Sequence, residues 1–68
     1  MNFILNGEPI VLTERELSLS GMLQQQQIDA SRGMAVAVND QVIPKSNWDN
    51  YHLSENDQIL IIKATQGG

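Results

Sequence analysis

Short apolar segments separated by polar turn residues run along this chain. The first two segments occupy residues 3–5 and 10–12, and Asn6-Gly7 lies between them. Asparagine and glycine accept the positive φ angles that a tight hairpin turn requires. The pattern therefore predicts that the chain opens with two antiparallel strands.

One helix is predicted next, over residues 18–28. Ser18 can accept a hydrogen bond from the first free amides of that helix. Gly21 costs the helix about 1 kcal/mol relative to alanine, and Arg32-Gly33 offers an exit. The apolar residues fall at the spacing of one helical face, which must pack on a sheet: Leu19, Met22 and Leu23.

A second hairpin is predicted over residues 34–43. Apolar residues alternate over 34–38, Asn39-Asp40 interrupts them, and a short strand at 41–43 is ended by Pro44.

The connection that follows is predicted to contain one helical turn over 46–50. Ser46 is the expected cap of this turn. Trp48 is expected to hold the connection on the core, with help from Leu53.

The last predicted strand, residues 58–63, follows the turn signal Asn56-Asp57 and is apolar on both faces. Ile59 and Ile61 fall on one face of this strand, and Leu60 and Ile62 fall on the other. A single helix covers only one face of a sheet, so the opposite face of this strand is available to a partner. The predicted order is β-β-α-β-β-β.

Length, composition and charge limit the classes of function that this chain can have. A chain of 68 residues supports one domain, and 41% hydrophobic with 18% charged residues is typical of a globular protein. Four basic and eight acidic residues give a net charge of -4, which disfavours nucleic acid and is compatible with a basic protein partner or with solubility alone. The sequence has no apolar run of membrane-spanning length and no signal-peptide pattern in residues 1–30, so we expect a cytoplasmic location.

Candidate catalytic residues are few. Cysteine is absent, which excludes thiolate zinc sites and a side-chain persulfide. His52 is the only histidine, and a surface position explains it better than metal binding. The serines have no evident base, and the scattered glycines form no phosphate-binding loop. The pattern does not favour an enzyme, and no bound cofactor or metal is expected.

The chain ends in Gln66-Gly67-Gly68, which we separate as a tail (65–68) from a folded domain (1–64). Two residues without Cβ make a thin, pliable thread that can enter a narrow channel. Such a thread can place the Gly68 carboxylate against ATP. Adenylation would supply a leaving group, and a sulfur nucleophile could then form a thiocarboxylate at Gly68. An inert, frayed terminus is the alternative.

These residues resemble the ThiS family, the sulfur carriers of bacterial thiamine biosynthesis, which belong to the ubiquitin-like β-grasp group. The resemblance runs end to end, and 39–48 is its most specific part. The matching segments are Met1 to Gly7, Val36 to Lys45, Trp48, Asn56 to Ile62, and Gly67-Gly68.

The resemblance implies an α+β fold, a mixed sheet of four to five strands packed on one helix. It also implies that an ATP-dependent adenylating enzyme activates Gly68, that sulfur arrives through a cysteine desulfurase, and that thiazole synthase takes the sulfur. In ubiquitin-like folds the sheet face opposite the helix contacts the activating enzyme. The candidate contact residues are thus Ile4, Leu60 and Ile62, and the resemblance implies that Ile59 and Ile61 face the core.

The sequence departs from the family in places. Asn56-Asp57 replaces a common Gly-Asp, which asparagine tolerates. Segment 13–17 does not match, and Gln66 is not diagnostic. A sulfur carrier for molybdopterin synthesis, a protein modifier that ends as an isopeptide, and an interaction module with an inert tail remain as alternatives.

Overall fold

A computed structural model describes residues 1–29 and 33–63 of the chain. Its elements follow the predicted order, with one short 3-10 helix before the last strand. Residues 30–32, which include Arg32, and residues 64–68, which include the predicted tail, lie outside the described residues. The elements are β1 (Asn2–Leu5), β2 (Glu8–Val11), α1 (Leu19–Gln25), β3 (Met34–Val38), β4 (Gln41–Val42), the 3-10 helix (Lys45–Asn47) and β5 (Asp57–Lys63).

The strands form one five-stranded sheet in the order β2-β1-β5-β3-β4. Strand β1 pairs in parallel with β5, whereas the other neighbours are antiparallel. The helix packs on one face through Leu19, Met22 and Leu23. This confirms the predicted mixed sheet on one helix. It also puts the last strand in the middle, held on both sides.

The first hairpin forms where the sequence predicts it. Asn6 and Gly7 both have positive φ, 50° and 82°. Strand β2 begins at Glu8 rather than at residue 10, because a two-residue turn brings Glu8 directly opposite Leu5.

The helix starts as predicted and ends earlier. The Ser18 hydroxyl accepts a hydrogen bond from the Gly21 amide at 3.0 Å. The predicted exit at Arg32-Gly33 is wrong, since α1 ends at Gln25 and Gln27 takes the left-handed conformation with φ 58°. No helix of residues 1–29 and 33–63 has the length and apolar character needed to cross a membrane.

Two hydrogen bonds close this helix end. The Ile28 amide donates to the Leu23 carbonyl at 2.8 Å, and the Gln27 amide donates to the Gln24 carbonyl at 3.0 Å. This is the Schellman pattern, in which glycine normally occupies the left-handed position. Ile28 packs against the core just beyond it. A glutamine gives no sequence signal for such an end.

Gln27→Gly should therefore stabilise the protein by about 1 kcal/mol, because glycine adopts positive φ without the Cβ clash. Gln24→Gly is the matched control, since Gln24 is exposed within α1. That variant should lose about 1 kcal/mol. Urea denaturation followed by circular dichroism measures both. Equal destabilisation by the two variants would contradict this account of the helix end.

The connection before β5 is held by Trp48, as predicted. Its side chain is 4% exposed, and its indole Nε1 donates to the Ile43 carbonyl at 2.8 Å. Leu53 is buried beside it in the core. The expected cap by Ser46 is wrong, because the 3-10 helix begins after Pro44, and Ser46 lies inside it without capping.

Candidate functional site

The two faces of β5 lie in different surroundings. Ile59 is 2% exposed and belongs to the core, and Ile61 is partly buried and packs against the core. Leu60 and Ile62 alternate with them and are 50% and 49% exposed. The predicted alternation is confirmed, and the exposed pair lies on the sheet face turned away from the helix.

The neighbouring strands extend this apolar surface. Ala37 lies opposite Leu60, and Ala35 lies opposite Ile62. Ile4 shares the face through its register with Gln58, although it is half-buried. We name this surface the open face; its apolar members are Ile4, Pro9, Val11, Ala35, Ala37, Val42, Leu60 and Ile62.

None of the side chains that the register places on the open face is charged; Asn2 and Gln58 are its polar members. Val11 and Val42, at its two edges, are 76% and 66% exposed. Apolar surfaces with exposed members of this kind are typical of protein, membrane or ligand contact sites. The open face brings together the three predicted contact residues, Ile4, Leu60 and Ile62.

A cavity of about 200 Å³ opens in this face. Ile4 and Leu60 form apolar walls, and the small side chain of Ala37 leaves space between them. Asp40, from the turn after β3, and Gln58 contribute the polar side chains of its lining. This cavity was not predictable from the sequence, since its lining comes from three strands and two turns.

Asn6 fixes β5 on the side of β1. The Asn6 amide donates to the Ile59 carbonyl at 2.9 Å, which continues the parallel ladder for one residue beyond β1. The Ile61 amide then donates to Asn6 Oδ1 at 2.8 Å. The side-chain oxygen thus replaces the backbone carbonyl that would come next in the ladder. The sequence predicts only a turn role for Asn6.

Asp57 and Asn39 fix the other end of β5. Asp57 is 7% exposed, and its two carboxylate oxygens accept from the Ser54 amide at 2.7 Å and from Asn39 Nδ2 at 2.9 Å. Asn39 Oδ1 accepts from the Gln58 amide at 3.0 Å. Hydrogen bonds of Asn39 therefore hold the turn after β3 against the start of β5, the strand that carries Leu60.

The other candidate residues lie away from the open face. His52 is exposed, as predicted, and forms an isolated β-bridge with Ser18. In the described part of the chain no three or more histidine, aspartate or glutamate side chains are grouped to hold a metal ion. A depression of about 520 Å³ on the helix side is lined in part by Ser18, Trp48 and Asp49.

The predicted tail residues Gln66, Gly67 and Gly68 lie outside the described residues. Five residues follow Lys63, the last residue of β5, and the predicted tail is the last four of them. The strand that precedes the tail is thus the strand that presents Leu60 and Ile62 on the open face.

A mixed five-stranded sheet with its last strand at the centre and one helix across one face defines a ubiquitin-like β-grasp protein. Comparison with known proteins narrows this class. The family model of the ThiS family matches residues 3–68. The chain belongs to the ThiS family.

Individual relatives agree with this family. The sulfur carrier protein ThiS of Escherichia coli (strain K12) is 36% identical over 36 residues, which are 53% of this chain and 54% of that protein. The match thus spans about half the length of that curated relative.

Two solved structures share the fold. A crystal structure of the thiamine biosynthesis protein ThiS from Geobacter metallireducens superimposes with a TM-score of 0.86 at 20% identity, covering 100% of both chains. A solution structure of a thiamine biosynthesis protein from the same organism gives a TM-score of 0.79 at 22% identity, covering 100% of this chain and 88% of that one.

Proposed function

We propose that this protein is the sulfur carrier of thiamine thiazole synthesis and that its working group is the Gly68 carboxylate. One observation carries the proposal. The strand that exposes the apolar residues Leu60 and Ile62 is the one that the Gly67-Gly68 tail follows in the sequence. One strand thus joins a surface for a partner enzyme to a terminus that this enzyme can modify. Family membership and the name of the Escherichia coli relative support thiamine over pterin synthesis.

The chemistry proceeds on the main chain. A Gly68 carboxylate oxygen attacks the α-phosphate of ATP held by an adenylating enzyme, and pyrophosphate leaves. A persulfide sulfur delivered by a cysteine desulfurase then attacks the terminal carbonyl carbon, AMP leaves, and an acyl disulfide forms. A thiol of the sulfur-transfer system next attacks the other sulfur of the S–S bond, which releases the Gly68 thiocarboxylate and leaves a disulfide on the thiol partners. Because the chain contains no cysteine, the sulfur must come from a partner. Thiazole synthase is the proposed acceptor, and the use of ATP supports a cytoplasmic location.

Intact-mass spectrometry tests this proposal. The purified carrier is incubated with the cognate adenylating enzyme, ATP and a sulfur donor. We expect a mass increase equal to the replacement of one oxygen by sulfur, which is absent when ATP is omitted. An unchanged mass, with the adenylating enzyme shown to be competent, would contradict the proposal. Covalent attachment of the carrier to lysines of other proteins would indicate a protein modifier instead.

We further propose that the open face binds the adenylating enzyme through Ile4, Leu60 and Ile62. The half-buried Ile4 borders the same cavity as Leu60, so a partner that covers Leu60 also contacts Ile4. Binding would remove these aliphatic side chains from water, which is favourable by roughly 25 cal/mol per Å² of apolar area.

Leu60→Asp should weaken adenylation about 30-fold at low carrier concentration, since truncating or charging a central contact residue costs about 2 kcal/mol or more. Leu60 is 50% exposed, so the variant should still fold. Val11→Asp is the matched control, because Val11 is 76% exposed at the edge of the same face. Pyrophosphate release measures both rates. Equal losses in the two variants would contradict a contact centred on β5.

A further inference from the structure

Asp40 occupies a position at which glycine is favoured. The turn after β3 holds Asn39 at φ 51° and Asp40 at φ 69°. Two-residue hairpin turns of this kind prefer Asn-Gly, because both central residues are left-handed and glycine has no Cβ to strain there, although aspartate also occurs in such turns. Glycine in place of Asp40 would make this turn more stable.

The two turn residues differ in what their side chains do. Asn39 donates to Asp57 and accepts from the Gln58 amide, so contacts within the protein explain its presence. The Asp40 carboxylate is exposed and accepts no hydrogen bond and forms no ion pair within residues 1–29 and 33–63. A residue held in the left-handed region without an internal role is a candidate for a functional role.

Asp40 also lies where a partner would meet it. It lines the cavity of about 200 Å³ in the open face, beside Ile4, Leu60 and Gln58. It is the only charged side chain in that lining, and the strand positions of the open face carry no charge. The cavity thus combines apolar walls with a single carboxylate.

We propose that this cavity receives an arginine side chain of the adenylating enzyme, with the guanidinium on the Asp40 carboxylate. The inference rests on the proposed function and adds the chemistry of the contact. Ile4, Leu60 and Ala37 suit the aliphatic stem of arginine, and the carboxylate with the Gln58 amide oxygen offers acceptors for several guanidinium N–H groups. Arginine is enriched among the dominant residues of interfaces, and removal of one partner from a charge pair excluded from water weakens binding strongly.

The test compares affinities for the cognate adenylating enzyme by isothermal titration calorimetry. Asp40→Asn removes the charge and retains a residue tolerated at positive φ, and Asp40→Gly removes the side chain and relieves the strain. We expect both variants to bind at least tenfold more weakly, while Asp40→Gly melts at the same or a higher temperature than wild type. Asp49→Asn, which makes the same charge change on the helix side, should bind as wild type.

Salt dependence gives a second measurement. Raising the ionic strength should weaken the wild-type complex more than the Asp40→Asn complex, because salt screens a charge pair during association. Affinity of both Asp40 variants within twofold of wild type, or parallel salt dependence, would overturn the inference. If the wild-type carrier forms its thiocarboxylate, such results contradict only the role given to Asp40 and the cavity. If the wild-type carrier forms no thiocarboxylate, the proposed function itself is contradicted.

Discussion

Gly68→Ala should fold as wild type and yet be adenylated about 100-fold more slowly. The substitution adds one methyl group beside the reacting carboxylate, and a displacement of about 1 Å at a reacting group can cost 100-fold in rate. The folded domain should not change, because the core is built from residues up to Ile61 and Gly68 lies beyond it. Pyrophosphate release measures the rate, and thermal unfolding measures the fold.

Gln66→Ala is the matched control for this prediction. It shortens a side chain in the same tail but leaves both terminal glycines in place, so the rate should stay within a few fold of wild type. Wild-type turnover by Gly68→Ala would contradict the narrow-channel argument for the terminus. A similar large loss in Gln66→Ala would shift the constraint from the glycines to the whole tail.

Trp48→Ala should remove most of the stability of the domain. The indole is 4% exposed in the core, and truncating a buried tryptophan costs about 3–5 kcal/mol. A domain of 68 residues has a total stability of roughly 3–10 kcal/mol. We therefore expect a substantial unfolded fraction at 25 °C, measured by urea denaturation with far-ultraviolet circular dichroism.

Trp48→Phe separates packing from hydrogen bonding. Phenylalanine retains much of the apolar contact but has no donor for the Ile43 carbonyl, which accepts from the indole at 2.8 Å. An unpaired buried acceptor costs about 1–3 kcal/mol, so this variant should fall between wild type and Trp48→Ala. A stability of Trp48→Ala within 1 kcal/mol of wild type, the approximate size of a mild substitution, would refute the role assigned to Trp48.

The features that followed from the sequence are those fixed by local geometry. The positive φ angles at Asn6-Gly7 set the first hairpin, and the two-residue period of a strand separated Leu60 from Ile59. The capping hydroxyl of Ser18 located the helix start. Each of these depends on residues close together in the chain.

Other features depend on partners far along the chain. Asn6 Oδ1 bonds an amide 55 residues away, and Asn39 bonds Asp57 across 18 residues. The cavity beside Asp40 exists only after three strands have paired. The helix end at Gln27 escaped prediction for another reason, because tertiary packing of Ile28 overrides the weak preference of glutamine against positive φ.

The central position of β5 limits the reach of the terminus. Five residues follow Lys63, and a fully extended chain spans at most about 3.6 Å per residue, so a chain of this length reaches at most roughly 18 Å beyond the end of β5. Leu60 and Ile62 lie on that same strand, which is held by neighbours on both sides. Under the proposed function, an enzyme that binds the open face would have to place its catalytic centre within this distance of the strand end.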